Sequence, residues 1–133
     1  MKRAIVVEDD PHNATLFRKL LEKRLGYAVS LTEDPGQLLA AVAGGGVDLV
    51  IMDVSLRHSD WRGRAVGGVE LCRLLKSDPG TAGVPVLLAT AHAMRGDEQR
   101  LLAESGADRY VSKPIVDHER FIEIVAELVR EAA

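Results

Sequence analysis

Leu49-Val50-Ile51-Met52, followed at once by Asp53, decides the fold: four apolar residues in a row without alternation, then a carboxylate. A strand with one wet face alternates apolar and polar residues, whereas an unbroken run fits a strand covered on both faces, as in a parallel sheet flanked by helices. Ala4-Ile5-Val6-Val7 and Val84-Pro85-Val86-Leu87-Leu88-Ala89 read the same way, and Ala28 to Thr32 and Arg109 to Val111 are weaker candidates. Between them the spacing turns helical. Phe121, Ile124, Val125 and Leu128 recur at i, i+3, i+4 and i+7, with Glu123, Glu127 and Arg130 between them, which predicts an amphipathic helix. Asp10-Pro11 and Asp34-Pro35 each offer a carboxylate cap followed by proline at the first helical position, and Gly26 and Gly44-Gly45-Gly46 would close those two helices.

Strand and helix thus alternate five times, which predicts an α/β domain, (βα)5, with a doubly wound five-stranded parallel sheet. The 133 residues suit a single domain spanning 1–133. The segment from Arg57 to Gly68 (RHSDWRGRAVGG) is long for a strand-to-helix connection, glycine-rich, polar and aperiodic, and is expected to project from the surface. No repeat, low-complexity tract or linker appears, and nothing is expected to be appended to the domain.

Composition narrows the function. Hydrophobic residues are 47% and charged residues 28%, so the chain should fold without assistance. A net charge of −3, from 17 Lys+Arg against 20 Asp+Glu, disfavours a protein that grips nucleic acid through a broad basic face. Cys72 is the only cysteine and cannot form an internal disulfide. Lying among Val69, Leu71, Leu74 and Leu75, it reads as a small buried hydrophobe. The start MKRAIVVEDD is too short in its apolar stretch for a signal-peptide core, and no run approaches the roughly 18 apolar residues of a membrane span. A cytoplasmic location is the default expectation.

In open α/β sheets ligands bind beyond the carboxyl ends of the strands. The residues placed there form a coherent set: Glu8, Asp9 and Asp10 after the first run, Asp53 after the third, Thr90 after the fourth, and Lys113-Pro114 after the fifth. Crowded carboxylates repel unless a cation sits among them, and hard oxygen ligands suit Mg²⁺. With Lys113 as a point charge and Thr90 as a hydroxyl donor, such a rim would neutralise the oxygens of a transferring phosphoryl group. Asp53 would be the nucleophile, forming an aspartyl phosphate. Taken singly, most of these residues have plainer explanations: Asp10 caps a helix, Glu8-Asp9-Asp10 forms an acidic turn, Lys113 is a solvated lysine. Asp53 is harder to dismiss, because a carboxylate ending a buried strand needs a partner. Gly44-Gly45-Gly46 follows a helix and lacks a phosphate-loop spacing, so it is a helix stop. His92 would lie at the rim or in a solvated loop. Arg57, His58, Trp61, Arg62 and Arg64 form a basic, aromatic stretch that reads as solvated loop or as a surface for a partner or RNA.

VVEDDP, DLVIMDVSL, PVLLATAHAM and SGADRYVSKPI, in this order over almost the whole chain, resemble the receiver domain of two-component response regulators. The resemblance implies a flavodoxin-like sheet of order 2-1-3-4-5. It implies that Asp53 is the phosphoacceptor and that Glu8 and Asp9 are the acid pair. Asp9, Asp53 and the Ser55 carbonyl would ligate Mg²⁺, with Glu8 acting through water. Thr90 and Lys113 would hold the phosphoryl group, and Pro114 would follow a cis peptide bond. Tyr110 would be the aromatic switch, turning inward as Thr90 moves and reshaping the face of helix 4, strand 5 and helix 5. Ala91 would leave access for the phosphodonor, and Ser55 and His92 would tune phosphate lifetime. The chain departs from the family in one place: Arg57 stands where a proline is usual, and the loop after it is longer.

The function implied is a single-domain response regulator that accepts a phosphoryl group from a histidine kinase or histidine phosphotransfer protein. It would be a phosphoacceptor and not an enzyme with a separate substrate, and would contact an unknown downstream protein, with no DNA-binding domain and no membrane anchor. It would be a monomer, or a dimer through the helix 4/strand 5/helix 5 face. A Mg²⁺-dependent phosphohydrolase would carry its nucleophile after the first strand with a second acid two residues on, whereas Asp53 lies on the third and precedes Val54-Ser55. A phosphate-independent interaction module would have no use for the acid set, and Glu8-Asp9-Asp10 would repel the phosphates of a nucleotide or flavin.

Overall fold

The computed structural model describes residues 1–56, 60–91 and 97–132. The elements run β1 (Arg3–Val7), α1 (Pro11–Leu25), β2 (Ala28–Thr32), α2 (Pro35–Ala43), β3 (Leu49–Asp53), β4 (Asp60–Trp61), β5 (Arg64–Ala65), α3 (Gly68–Ser77), β6 (Val86–Thr90), α4 (Asp97–Ser105), β7 (Arg109–Ser112) and α5 (His118–Ala132). Five strands form one parallel sheet in the order β2-β1-β3-β6-β7. With the short β4 and β5 set aside, this is the expected 2-1-3-4-5.

The unbroken apolar runs are explained by two cores. Ala4, Val6, Leu49, Ile51, Leu87 and Ala89 face α1 and α5, where the Phe17 and Phe121 rings meet with centroids 5.6 Å apart. Their neighbours Ile5, Val7, Val50, Met52, Val86 and Leu88 face the other way, against Leu38 and Val42 of α2, Leu71 and Leu75 of α3 and Leu101 of α4. Successive strand residues point to opposite faces, so a strand with helices on both sides is apolar at every position. The edge strand β2 is half-buried to exposed, which is why its run reads weakly.

Helix starts follow the sequence closely. Asp10 accepts from the His12 N–H at 3.0 Å and Asp34 from the Gln37 N–H at 3.3 Å, and each is followed by proline in the first turn. Gly26 ends α1 in the left-handed conformation. The fourth strand begins two residues later than its apolar run, at Val86, because Val84-Pro85 lies before the ladder.

The long connection departs from the expectation of an irregular projecting loop. Its described part folds into an antiparallel hairpin, Asp60 opposite Ala65 and Trp61 opposite Arg64. Arg62 and Gly63 make the turn with φ of 53° and 80°, two successive positive φ values of the kind that match the twist of hairpin strands. The hairpin returns to the body instead of projecting: a Cβ added to Gly36 in the first turn of α2 would lie 3.6 Å from Cζ3 of Trp61. Arg57, His58 and His92 fall outside the described residues.

Candidate functional site

The carboxyl edge of the sheet gathers the polar residues that end its strands. β1 delivers Glu8 and Asp9, β3 ends in Asp53, β6 ends in Thr90, and β7 is followed by Lys113. Glu8, Asp53 and Thr90 are buried, at 5%, 2% and 2% exposure, so their polar atoms must be satisfied within the protein or by a ligand. One carboxylate oxygen from each of Glu8, Asp9 and Asp53 lies within 4.8 Å of the others. Asp10, the remaining acid of the turn, is exposed and occupied in capping α1, where it accepts from the His12 N–H and from Asn13 Nδ2 at 3.1 Å. Of the four acids placed at the strand ends, three therefore group together.

Lys113 Nζ reaches across the rim to Asp53 Oδ1 at 2.8 Å and to Glu8 Oε1 at 2.9 Å. The Ser55 N–H donates to the same Asp53 oxygen at 3.1 Å. Lys113 is placed by its backbone: its N–H donates to the Thr90 carbonyl at 2.8 Å, Thr90 pairs with Ser112 in the ladder, and the Lys113–Pro114 bond is cis, as the resemblance implied. Tyr110 pairs with Leu88 in the same ladder; its half-buried ring packs beside the second core, and its hydroxyl shares a hydrogen bond with Ser112 Oγ at 3.3 Å.

The electrostatics follow from burying more acids than bases. Burial, together with the hydrogen bond to Asp53, pushes the Glu8 carboxyl up to about 8. Burial pushes Asp53 in the same direction but is outweighed by hydrogen bonds from Glu8, Lys113 and the Ser55 N–H, which hold it below its ordinary value. Burial would lower Lys113, and its pairing with Asp53 and Glu8 reverses the shift and raises it. The result is one ionised, oriented carboxylate at Asp53, one acid at Glu8 that holds its proton, and one fixed ammonium. Hard oxygen donors from three carboxylates suit a small divalent cation, which would take the place of that proton.

Gly68 is a residue that sequence reasoning passed over. A Cβ there would stand 1.9 Å from the Asp53 carbonyl oxygen and 3.0 Å from Val54 Cα. Its N–H donates to the Val54 carbonyl at 3.2 Å. The first turn of α3 is thereby pressed onto the backbone of the central carboxylate, and only glycine allows the approach. The Gly67-Gly68 pair opening a helix was the available signal.

Residues 4–126 match the family model of the response regulator receiver domain. The chain is 35% identical over 131 residues to the polar-differentiation response regulator DivK of Brucella anthropi, covering 98% of both chains, and equally to that of Brucella ovis. Among known structures it resembles the receiver domain of a Pseudomonas aeruginosa sensor histidine kinase, which has a magnesium ion coordinated in its active-site cleft: 26% identity, TM-score 0.79, covering 97% of this chain and 98% of that one. A response regulator from Chloroflexus aurantiacus shares the fold at 23% identity and a TM-score of 0.81, covering 97% of this chain and 98% of that one.

Proposed function

The chain belongs to the response regulator receiver family, and from that premise we propose that Asp53 accepts a phosphoryl group from a histidine kinase or a histidine phosphotransfer protein. The observation that carries the reading is the state of Asp53: a buried carboxylate kept ionised and aimed by Lys113 at 2.8 Å and by the Ser55 N–H at 3.1 Å. An Asp53 oxygen attacks the phosphorus of a phosphohistidine; the P–O bond forms as the P–N bond breaks, and the electron pair leaves with the imidazole nitrogen. Mg²⁺ held by Glu8, Asp9 and Asp53 would supply the positive charge that offsets the phosphoryl oxygens, and the similar Pseudomonas receiver domain has a magnesium ion coordinated in its active-site cleft. Lys113 exchanges its carboxylate contact for one of those oxygens, and the Thr90 hydroxyl donates to another. Water later attacks the same phosphorus and releases inorganic phosphate, so the chain is an acceptor that catalyses its own phosphorylation and slow dephosphorylation.

Phosphate biases an existing two-state equilibrium by binding one conformation better. Thr90 and Tyr110 are the pair that would carry the change to α4, β7 and α5, and hence to a protein target. No helix among the described residues is long and apolar enough to cross a membrane.

Intact mass after incubation with a small acyl phosphate and Mg²⁺ tests the proposal. The expected outcome is a labile gain of one phosphoryl group that needs the metal and is absent from Asp53→Asn. An adduct that persists in Asp53→Asn, or none in the wild type, overturns it; turnover of a phosphate ester without an adduct favours a phosphohydrolase.

A further inference from the structure

A second cavity, of about 640 Å³, opens between the hairpin and the outer face of α3, away from the acidic rim. Trp61, Val66 and Leu74 give it an apolar wall, and Arg62, Arg64 and Arg73 a basic one; among the described residues Glu70 is its single acidic lining residue, and it is paired with Arg64 at 3.3 Å. Val66 is buried at 5%, and Trp61 and Leu74 are half-buried. Arg73 is anchored by Nε donating to the Glu104 carbonyl of α4 at 2.8 Å, which holds its guanidinium in place at the groove.

The turn residue carries an independent signal. Arg62 has φ of 53°, a conformation that costs a residue with a Cβ about 1 kcal/mol and that asparagine or glycine adopts more readily. Arginine at this strained position places its guanidinium 5.3 Å above the Trp61 ring. Strain retained at a surface turn points to use, and the use on offer is a cation presented beside an apolar wall.

We infer that this groove is a docking site for an acidic segment of a partner protein that carries an aliphatic or aromatic anchor. Charge complementarity selects the occupant: among the described residues three arginines and one paired glutamate line the groove of a chain whose net charge is −3, and arginines around an apolar pocket are the composition of binding hot spots. RNA is the poorer fit. Arg62 already covers a face of the Trp61 ring on which a base would stack.

The test is to pan a displayed library of random dodecapeptides on the full chain and then titrate the enriched peptides. Trp61, the only tryptophan, reports binding through its emission. Enriched sequences are expected to set Asp or Glu beside Leu, Ile or Phe, and their affinity to fall with salt and by about tenfold in Arg62→Glu/Arg73→Glu. Arg62→Asn separates docking from folding, because asparagine suits the turn: its thermal midpoint is expected to hold or rise while peptide affinity drops about threefold or more. Asp53 adduct formation, measured on the same Arg62→Asn sample, is expected to match the wild type. The proposal is overturned if no acidic consensus is enriched, if Arg62→Asn binds the peptides as tightly as the wild type, or if a single-stranded RNA dodecamer binds the groove in preference to them.

Discussion

Lys76 and Lys113 are both held among acceptors, at opposite edges of the same sheet. Lys76, near the end of α3, donates to the carbonyls of Ala82 and Val84 and to Asp108 at 2.9 Å, and Asp108 Oδ2 also accepts from the Val86 N–H at 2.8 Å. One cation meets one anion and neutral carbonyls, which ties the approaches to β6 and β7 to α3. At the other edge Lys113 meets Glu8 and Asp53, with Asp9 beside them. Three carboxylates face one ammonium, and the excess is relieved by a proton on Glu8. An ion pair whose charges balance is a strut; a buried cluster that leaves charge over is a site that a cation or a phosphoryl group can complete.

Removing each lysine should expose that difference, and the larger effect belongs to the rim. Lys113→Met leaves two buried acids without their ammonium and is expected to cost about 4 kcal/mol of metal-free stability. Millimolar Mg²⁺ should recover part of the loss, because a ligand that binds only the folded state stabilises it. Urea midpoints with and without Mg²⁺ measure this, and a variant as stable as the wild type in chelator would refute the excess-charge account.

Gly68→Ala sharpens the comparison by moving the rim without touching a charge. A Cβ 1.9 Å from the Asp53 carbonyl oxygen must displace backbone, at an expected cost of about 3 kcal/mol. Thermal unfolding beside a Gly67→Ala control, whose Cβ would stand 3.5 Å from the Val54 carbonyl oxygen, should separate the two; equal midpoints would mean that α3 yields freely. Lys76→Met at the strut is expected to cost less, about 2 kcal/mol, because Asp108 is 40% exposed and rehydrates. Mg²⁺ should not recover it, and recovery comparable to that of Lys113→Met would erase the distinction.

Per unit of pH, titration of the rim has the smallest effect. Glu8 has a folded pKa of about 8 against 4.5 when unfolded, so the folded state binds its proton more tightly across that window. The stability this contributes is complete below about 4.5 and is lost as pH rises through about 8. Asp53, shifted down, contributes the opposite way: its share is present above 3.8 and lost as pH falls. Metal-free stability should therefore decline from pH 5 to 8.5 by at most about 1.4 kcal/mol per unit for one proton. Glu8→Gln should flatten the decline, and a slope unchanged by that substitution would place the proton elsewhere. Mg²⁺ must displace the same proton, so its affinity should rise across the same window.

The rim was legible because each buried strand announces itself as an apolar run, and a carboxylate, hydroxyl or ammonium at the end of such a run lands on one edge by topology alone. Asp10 was ambiguous for the same reason: cap and ligand begin with the same residue type, and only the contact with the His12 N–H decides. The hairpin stayed hidden because strands of two residues have no periodicity to detect, and its turn uses Arg-Gly where Asn-Gly would have been the sign.

The sequence by itself determined the layered α/β fold and the residues along its carboxyl edge, since hydrophobic period and capping are local and add up along the chain, whereas the sheet order came from the resemblance to the receiver family. Only the tertiary structure decided how those residues share charge. It set Lys113 across to both Glu8 and Asp53, raised the Glu8 carboxyl by burial, pressed Gly68 against the Asp53 carbonyl and turned the long connection back onto α2 and α3. Each of these depends on distance between segments far apart in the chain, and burial and Coulomb interactions respond to that distance and not to sequence separation.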